Sequence, residues 1–257
     1  MSKRNWTREE TILAFSLYCK TQFGKIHSAN PNIIELASLI GRKPAAVSMK
    51  MCNFGRFDPV LKSRNVSGLK NGSKMDGLVW DEFSENGEEL ITEAEIIIAK
   101  LRGQTIDELI DLSDYQTIPS GLERERIVKT RINQRFFREA LLSSYNSSCC
   151  ITGINLSELL IASHIKPWSI SDPATERVNP SNGLLLNAFH DKAFDKGIIS
   201  INTSYEILVT ARLSDIESDT VNYEWLLSYK GKRINLPEKF TPEKQYIEYH
   251  NDVIFMK

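Results

Sequence analysis

The chain has 257 residues, with 32 Lys+Arg against 33 Asp+Glu for a formal net charge of −1. Hydrophobic residues make up 41% and charged residues 25%, a globular composition that excludes a disordered, collagen-like or fibrous chain. The polar start MSKRNWTREE lacks a signal-peptide core and no run approaches the ~18 apolar residues of a membrane span, so a cytoplasmic protein with no membrane partner and with reduced thiols is expected.

Near-neutrality hides unlike regions. Residues 1–70 hold 12 Lys+Arg and 4 Asp+Glu, residues 71–125 hold 4 and 14, and residues 126–145 hold 5 and 1. A basic N-terminal region suits an anionic partner, or else a solvated surface offset by the acidic stretch folding back on it.

Thr7 and Glu10 have capping-box spacing, and Ile12, Leu13, Phe15, Leu17 and Tyr18 follow as the buried side of a helix of about four turns. A second helix is expected from near Asn32 to Ile40, with Pro31 at its start and Gly41 ending it in a left-handed conformation. A third starts at Pro44. Ala37, Gly41 and Val47 carry the small-residue, turn-glycine and buried-branched spacing of helix-turn-helix proteins, which this stretch resembles. The resemblance implies a third helix in the DNA major groove, with Lys43, Ser48 and Lys50 as candidate DNA-facing groups. The plain alternative is a three-helix packing motif. SRNVSGLKNGSKMDG and QTIPSG read as loops or linkers, LVWDEF as a strand, and ITEAEIIIAKLRG as a helix capped by Thr92 and stopped by Gly103, which would suit a winged variant.

From Leu122 to Tyr145 the chain is free of Gly and Pro and reads as a connecting helix. Arg124, Arg131, Arg135 and Arg138 fall in one arc of it, opposite Ile132, Phe136, Phe137, Ala140 and Leu141, so guanidinium groups on the outer face could meet phosphates. LLIASHI, ending near His164, and GLLL, after a turn at Pro180 and Asn182, read as strands. Asn187 can cap a short helix carrying His190 and Phe194, GIISI and EILVT form a closing hairpin, and Pro242 opens a last helix.

Three ordered segments carry the chemistry: CCITG at 149–153, IASHIKPW at 161–168 and NPSNGLLLNAFHDKAFDKG at 179–197. They resemble the branch of the HNH nuclease family with C-x-TG, HI-x-PW and NGL-x-L…H…FD-x-G elements. The resemblance implies an α+β chain: an N-terminal helical, winged helix-turn-helix-like reader over 1–115, a linker and basic helix over 116–145, and a C-terminal ββα-metal nuclease domain over 146–257. It assigns His164 as general base, Asn182 as the residue orienting the hairpin and that histidine, and His190 as a metal ligand. A neutral imidazole, with an ordinary pKa of about 6.5, is suited to take a proton from water, and a divalent cation to neutralise the phosphate charge. Magnesium is the expected ion, with manganese suited to an imidazole ligand.

Many HNH nucleases place an Asp directly before the first histidine as a ligand; here that position is Ser163. Asp191 and Asp195 are nearby and stay unassigned. A structural zinc held by two C-x-x-C pairs, common in the family, is not expected, because only Cys149 and Cys150 lie in this region. Lys166 is a candidate phosphate contact. The expected activity is a metal-dependent DNA endonuclease, in a restriction-type defence setting that reads specific or modified DNA. A homodimer would be needed to cut both strands, and a separate methyltransferase or reading of modified bases would protect the host. A DNA-binding regulator with an inactive HNH domain, or a nicking or RNA nuclease, are the rival readings.

Overall fold

The computed structural model describes residues 4–58, 61–62, 72–109, 120–213, 221–237 and 239–257. The chain forms two compact units, residues 1–136 with 173–178 and residues 137–172 with 179–257.

In the first unit α1 (Arg8–Cys19) starts at a complete capping box between Thr7 and Glu10. α2 (Pro31–Leu39) and α3 (Pro44–Phe54) each place a proline in the first turn, where its missing N–H costs nothing. Gly41, at φ +65°, turns the chain between them. Ile12, Phe15, Tyr18, Ala37, Val47, Met51 and Phe54 are buried in one cluster.

α4 (Lys74–Phe83) corrects two expectations. LVWDEF is helical, and so is the KMDG end of the first expected loop, whose residues 63–71 lie outside the described set, as do 110–119, most of the QTIPSG segment. The reason is local. Ser73 and Asp76 make a capping box that starts the helix, and Val79 and Phe83, spaced i,i+4, both bury on one face. No strand occurs among the described residues of this unit, so the wing is absent there. α5 (Gly87–Arg102) begins earlier than expected, capped by Asn86 with Glu88 and Glu89 in its first turn, and stops at Gly103. Thr92 is therefore an interior residue whose hydroxyl donates to the Glu88 carbonyl. A short α6 (Ile106–Leu109) follows.

α7 (Leu122–Ser144) contributes to both units, the division falling between Phe136 and Phe137. In the second unit β1 (Leu160–His164) pairs antiparallel with β2 (Gly183–Asn187), placing Ser163 opposite Leu184 and His164 opposite Gly183. α8 (Ala188–Asp195) follows β2 directly and packs on both strands. β3 (Ile199–Ile201) and β4 (Ile207–Val209) make the closing hairpin. α9 (Val221–Trp225) and α10 (Lys244–Tyr249) complete the unit, α10 running into a wider π turn over His250–Ile254.

His250 belongs to this core rather than to the chemistry. It stacks on Phe194 at 3.8 Å, and its Nδ1 lies 2.8 Å from the Ser200 hydroxyl. Burial pushes its pKa down to about 4. An unfolded histidine binds its proton near pH 6.5, so between about pH 6.5 and 4 the unfolded state holds a proton that the folded state refuses, and stability falls as pH drops. The expected loss across this window is ~3 kcal/mol, to be read as a fall in melting temperature that is shallower in a His250→Gln variant.

Candidate active site at the β1–β2 hairpin

His164 is the last residue of β1 and is half-buried. Its ring stacks on Phe137 of α7 with centroids 3.8 Å apart and meets the edge of Trp168 at 5.4 Å. Its partner across the ladder must be glycine, because a Cβ at Gly183 would stand 2.6 Å from the Phe137 ring. The glycine thus makes room for the aromatic floor on which the histidine rests.

Asn182, fully buried, fixes the chain after His164. Its Oδ1 accepts from the Lys166 backbone N–H at 2.8 Å, and its Nδ2 donates to the Lys166 carbonyl at 3.2 Å and the Ser171 hydroxyl at 3.3 Å. Its own carbonyl accepts from Ile165 N–H at 2.9 Å. The side chain therefore holds both directions of the loop that leaves the strand. The Lys166 ammonium lies 5.8 Å from the Tyr249 ring centre.

Asn187 does more than cap α8, the role expected for it. Its Oδ1 accepts from the N–H groups of Phe189 and His190. Its Nδ2 lies 2.9 Å from His190 Nδ1, 3.2 Å from Thr152 Oγ1 and 3.6 Å from Cys149 Sγ. The pairs Cys149/Thr152 and Asn187/His190 each have i,i+3 spacing and meet at this one amide, much as two C-x-x-C pairs meet at zinc. That shared spacing was the one signal in the sequence for the cluster. No group of three or more His, Cys, Asp or Glu able to hold a metal is present among the described residues.

His190 is buried, and both of its ring nitrogens are engaged. Nε2 lies 2.8 Å from the Trp225 carbonyl, which can only accept, so Nε2 carries the proton and Nδ1 accepts from Asn187. Phe189, Trp225 and Tyr229 surround the ring. Burial lowers the His190 pKa, so the neutral ring is favoured. In this arrangement neither nitrogen offers a lone pair to a cation, and the expected ligand role does not fit. Trp225, 35 residues downstream, was not a candidate in the sequence.

The oxygen groups on the other side of β1 are Ser163 and, on α8, Asp191. Residues alternate across a strand, so with His164 on the α7 side, Ser163 points to the side that α8 covers. Ser163 is 3% exposed, and its Oγ is buried without a hydrogen bond of normal length. The Asp191 carboxyl on α8 feels this hydroxyl and also Asp195. Burial raises the Asp191 pKa, and the Ser163 hydroxyl offsets part of that rise.

The basic candidates divide. Lys43 is exposed at the start of α3. Lys50 and Ser48 are buried, contrary to a DNA-facing role: Lys50 pairs with the buried Asp76, and the Ser48 hydroxyl turns back to the Ala45 carbonyl at 3.1 Å. The α3 residues with exposed side chains are Ala45 and Met49. On α7, Arg124 pairs with Asp107, and Arg135 pairs with Glu95 and donates to the Leu109 carbonyl at 2.8 Å. Arg138 donates to the carbonyls of Leu160 at 2.6 Å and Ser157 at 2.9 Å, holding the start of β1. These arginines tie structure together instead of forming an open phosphate-binding face. Arg131 reaches Gln134 one turn on, at 3.4 Å.

No helix among the described residues is long and apolar enough to cross a membrane. Comparison with curated proteins gave no match. Residues 149–202, which hold His164, Asn182, Asn187 and His190, match the model of the HNH endonuclease family.

Proposed function

We propose that the chain is a metal-dependent DNA endonuclease in which the β1–β2 hairpin and α8 form the catalytic centre. One observation carries the reading: His164 ends β1 on an aromatic floor, its loop pinned by Asn182, within the stretch that matches HNH endonucleases.

The neutral imidazole of His164 takes a proton from water as that water's oxygen attacks phosphorus, and the bond to the 3′ oxygen breaks. Stacking on Phe137 fixes the plane of the ring, and Asn182 fixes the loop beside it, so the base is positioned before substrate arrives. Oxygen donors on the α8 side of β1 would hold a divalent cation, magnesium or manganese, which when bound would supply charge neutralisation for the phosphate and the departing oxygen.

DNA reading is assigned to the first unit. The support is the buried Ala37, the left-handed Gly41 and the buried Val47, which give α2 and α3 the pattern of a helix-turn-helix, with Lys43, Ala45 and Met49 on the open side of α3. A small apolar face of this kind suits contact with thymine or modified-base methyl groups, with Lys43 on phosphate. The restriction-type setting, the homodimer that cuts both strands and the separate methyltransferase are parts of the same proposal.

The test incubates the protein with modified and unmodified supercoiled plasmid, with magnesium, with manganese, and with no added cation. Cation-dependent conversion to nicked or linear DNA is the expected result. Binding without cleavage under every condition would replace the enzyme with a regulator, and cleavage of RNA alone would change the substrate.

A further inference from the structure

We infer that Asp191 supplies the protein carboxylate for the catalytic cation, and that His190 is a lock that holds α8 in place. The inference rests on the endonuclease reading above. It concerns which side chain of α8 faces the metal.

Three observations meet here. The ring of His190 is committed at both nitrogens, to Asn187 and to the Trp225 carbonyl, within a wall of Phe189, Trp225 and Tyr229. Coordination by it would break a 2.8 Å or a 2.9 Å hydrogen bond inside a buried cluster and leave a polar group unpaired. The next residue on the helix, Asp191, is only partly covered and addresses Ser163 across the α8 side of β1. Ser163 stands at the position where related nucleases carry an aspartate, and its buried hydroxyl faces the Asp191 carboxyl. A buried strand hydroxyl facing a helix carboxylate is an oxygen-donor pair of the kind a hard cation would draw on.

The carboxylate has in effect moved from the strand to the helix. Asp195, one turn further along α8 on the same side, adds negative charge behind Asp191 without having to ligate. His190 and Asn187 contribute by fixing the first turn of α8, and through it the direction of Asp191.

Mn2+ binding, read by loss of the free-ion electron spin resonance signal, tests this directly, with and without a DNA duplex in a His164→Ala background that leaves the duplex whole. Asp191→Asn should weaken Mn2+ binding by ~10-fold or more at unchanged melting temperature, whereas His190→Gln should lower the melting temperature and weaken Mn2+ binding by less than Asp191→Asn does. Wild-type-like Mn2+ affinity in Asp191→Asn, or a larger loss in a folded His190→Gln protein than in Asp191→Asn, would overturn the inference. If Asp191→Asn itself melts early, the double variant Ser163→Asp with Asp191→Asn decides: recovered Mn2+ binding supports a carboxylate that has changed sides, and none overturns it. Plasmid cleavage by the wild type reports separately on the endonuclease reading, so a cutting enzyme whose Mn2+ binding ignores Asp191 defeats this inference alone.

Discussion

His164→Ala should reduce the rate of DNA cleavage by ~10²–10⁴-fold, the range a positioned general base contributes. The loss should fall on the rate and not on substrate binding, because the ring's contacts point to its aromatic floor. DNA affinity, measured by gel shift or anisotropy, should stay within about twofold, a factor worth less than 1 kcal/mol. Removing a ring stacked at 3.8 Å on Phe137 also has a structural cost, ~0.5–1.5 kcal/mol for an aromatic pair, small enough to leave the protein folded. The acid limb of the pH–rate profile offers the second readout. It reports the group that must lose its proton before it can act as base, so it should disappear from the residual activity of the variant. Full activity in the variant, or a cleavage loss that tracks melting temperature, would remove His164 from this role.

The second large effect lies in the first unit and concerns folding. Lys50→Ala should destabilise the protein by ~3–5 kcal/mol, the cost of leaving the partner of a buried ion pair uncompensated. Asp76 is fully buried, and besides Lys50 it accepts from Asn53 Nδ2 at 3.1 Å, from Ser73 N–H at 2.9 Å and from the Ser73 hydroxyl at 2.8 Å. The indole of Trp6 covers Lys50 at 4.8 Å and Arg42 at 4.2 Å, so water cannot readily take over the lost charge. Denaturant or thermal unfolding measures the effect. Lys43→Ala is the contrast: an exposed lysine whose loss should leave stability within ~0.5 kcal/mol and, if α3 meets DNA, flatten the salt dependence of binding by about one counterion. A Lys50→Ala protein as stable as wild type but weaker on DNA would restore the role expected from sequence.

The two predictions mark where the sequence could be read and where it could not. Helix starts were legible because caps are local: Thr7 with Glu10, proline in the first turns of α2 and α3, and glycine at 41 and 103 each act within a few residues. The β1–β2 hairpin was legible because its apolar runs are short and sharply bounded. LVWDEF misled because Val79 and Phe83 fit a helix as well as a strand, and the capping box that decides between them lies upstream at Ser73. The roles of the charged residues depended on partners far along the chain. Lys50 meets Asp76, Arg135 meets Glu95 and Arg138 meets backbone carbonyls at 157 and 160, and none of these pairings follows from helical phase. The same holds for His190, whose fate is set by a carbonyl at Trp225. A motif pointed to the candidate site, but the hydrogen-bond partners of each side chain there come from elsewhere in the chain.

The hydrogen-bonded meeting of Cys149, Thr152, Asn187 and His190 has a consequence for how the molecule meets its environment. A knuckle tied by thiolates and zinc comes apart when a chelator removes the ion or an oxidant takes the sulfur. Here an amide ties the knuckle, using a thiol, a hydroxyl and an imidazole that need not lose protons to a metal. Chelation should then stop the chemistry and spare the fold. The same molecules, stored without metal, would resume cutting once the ion returned.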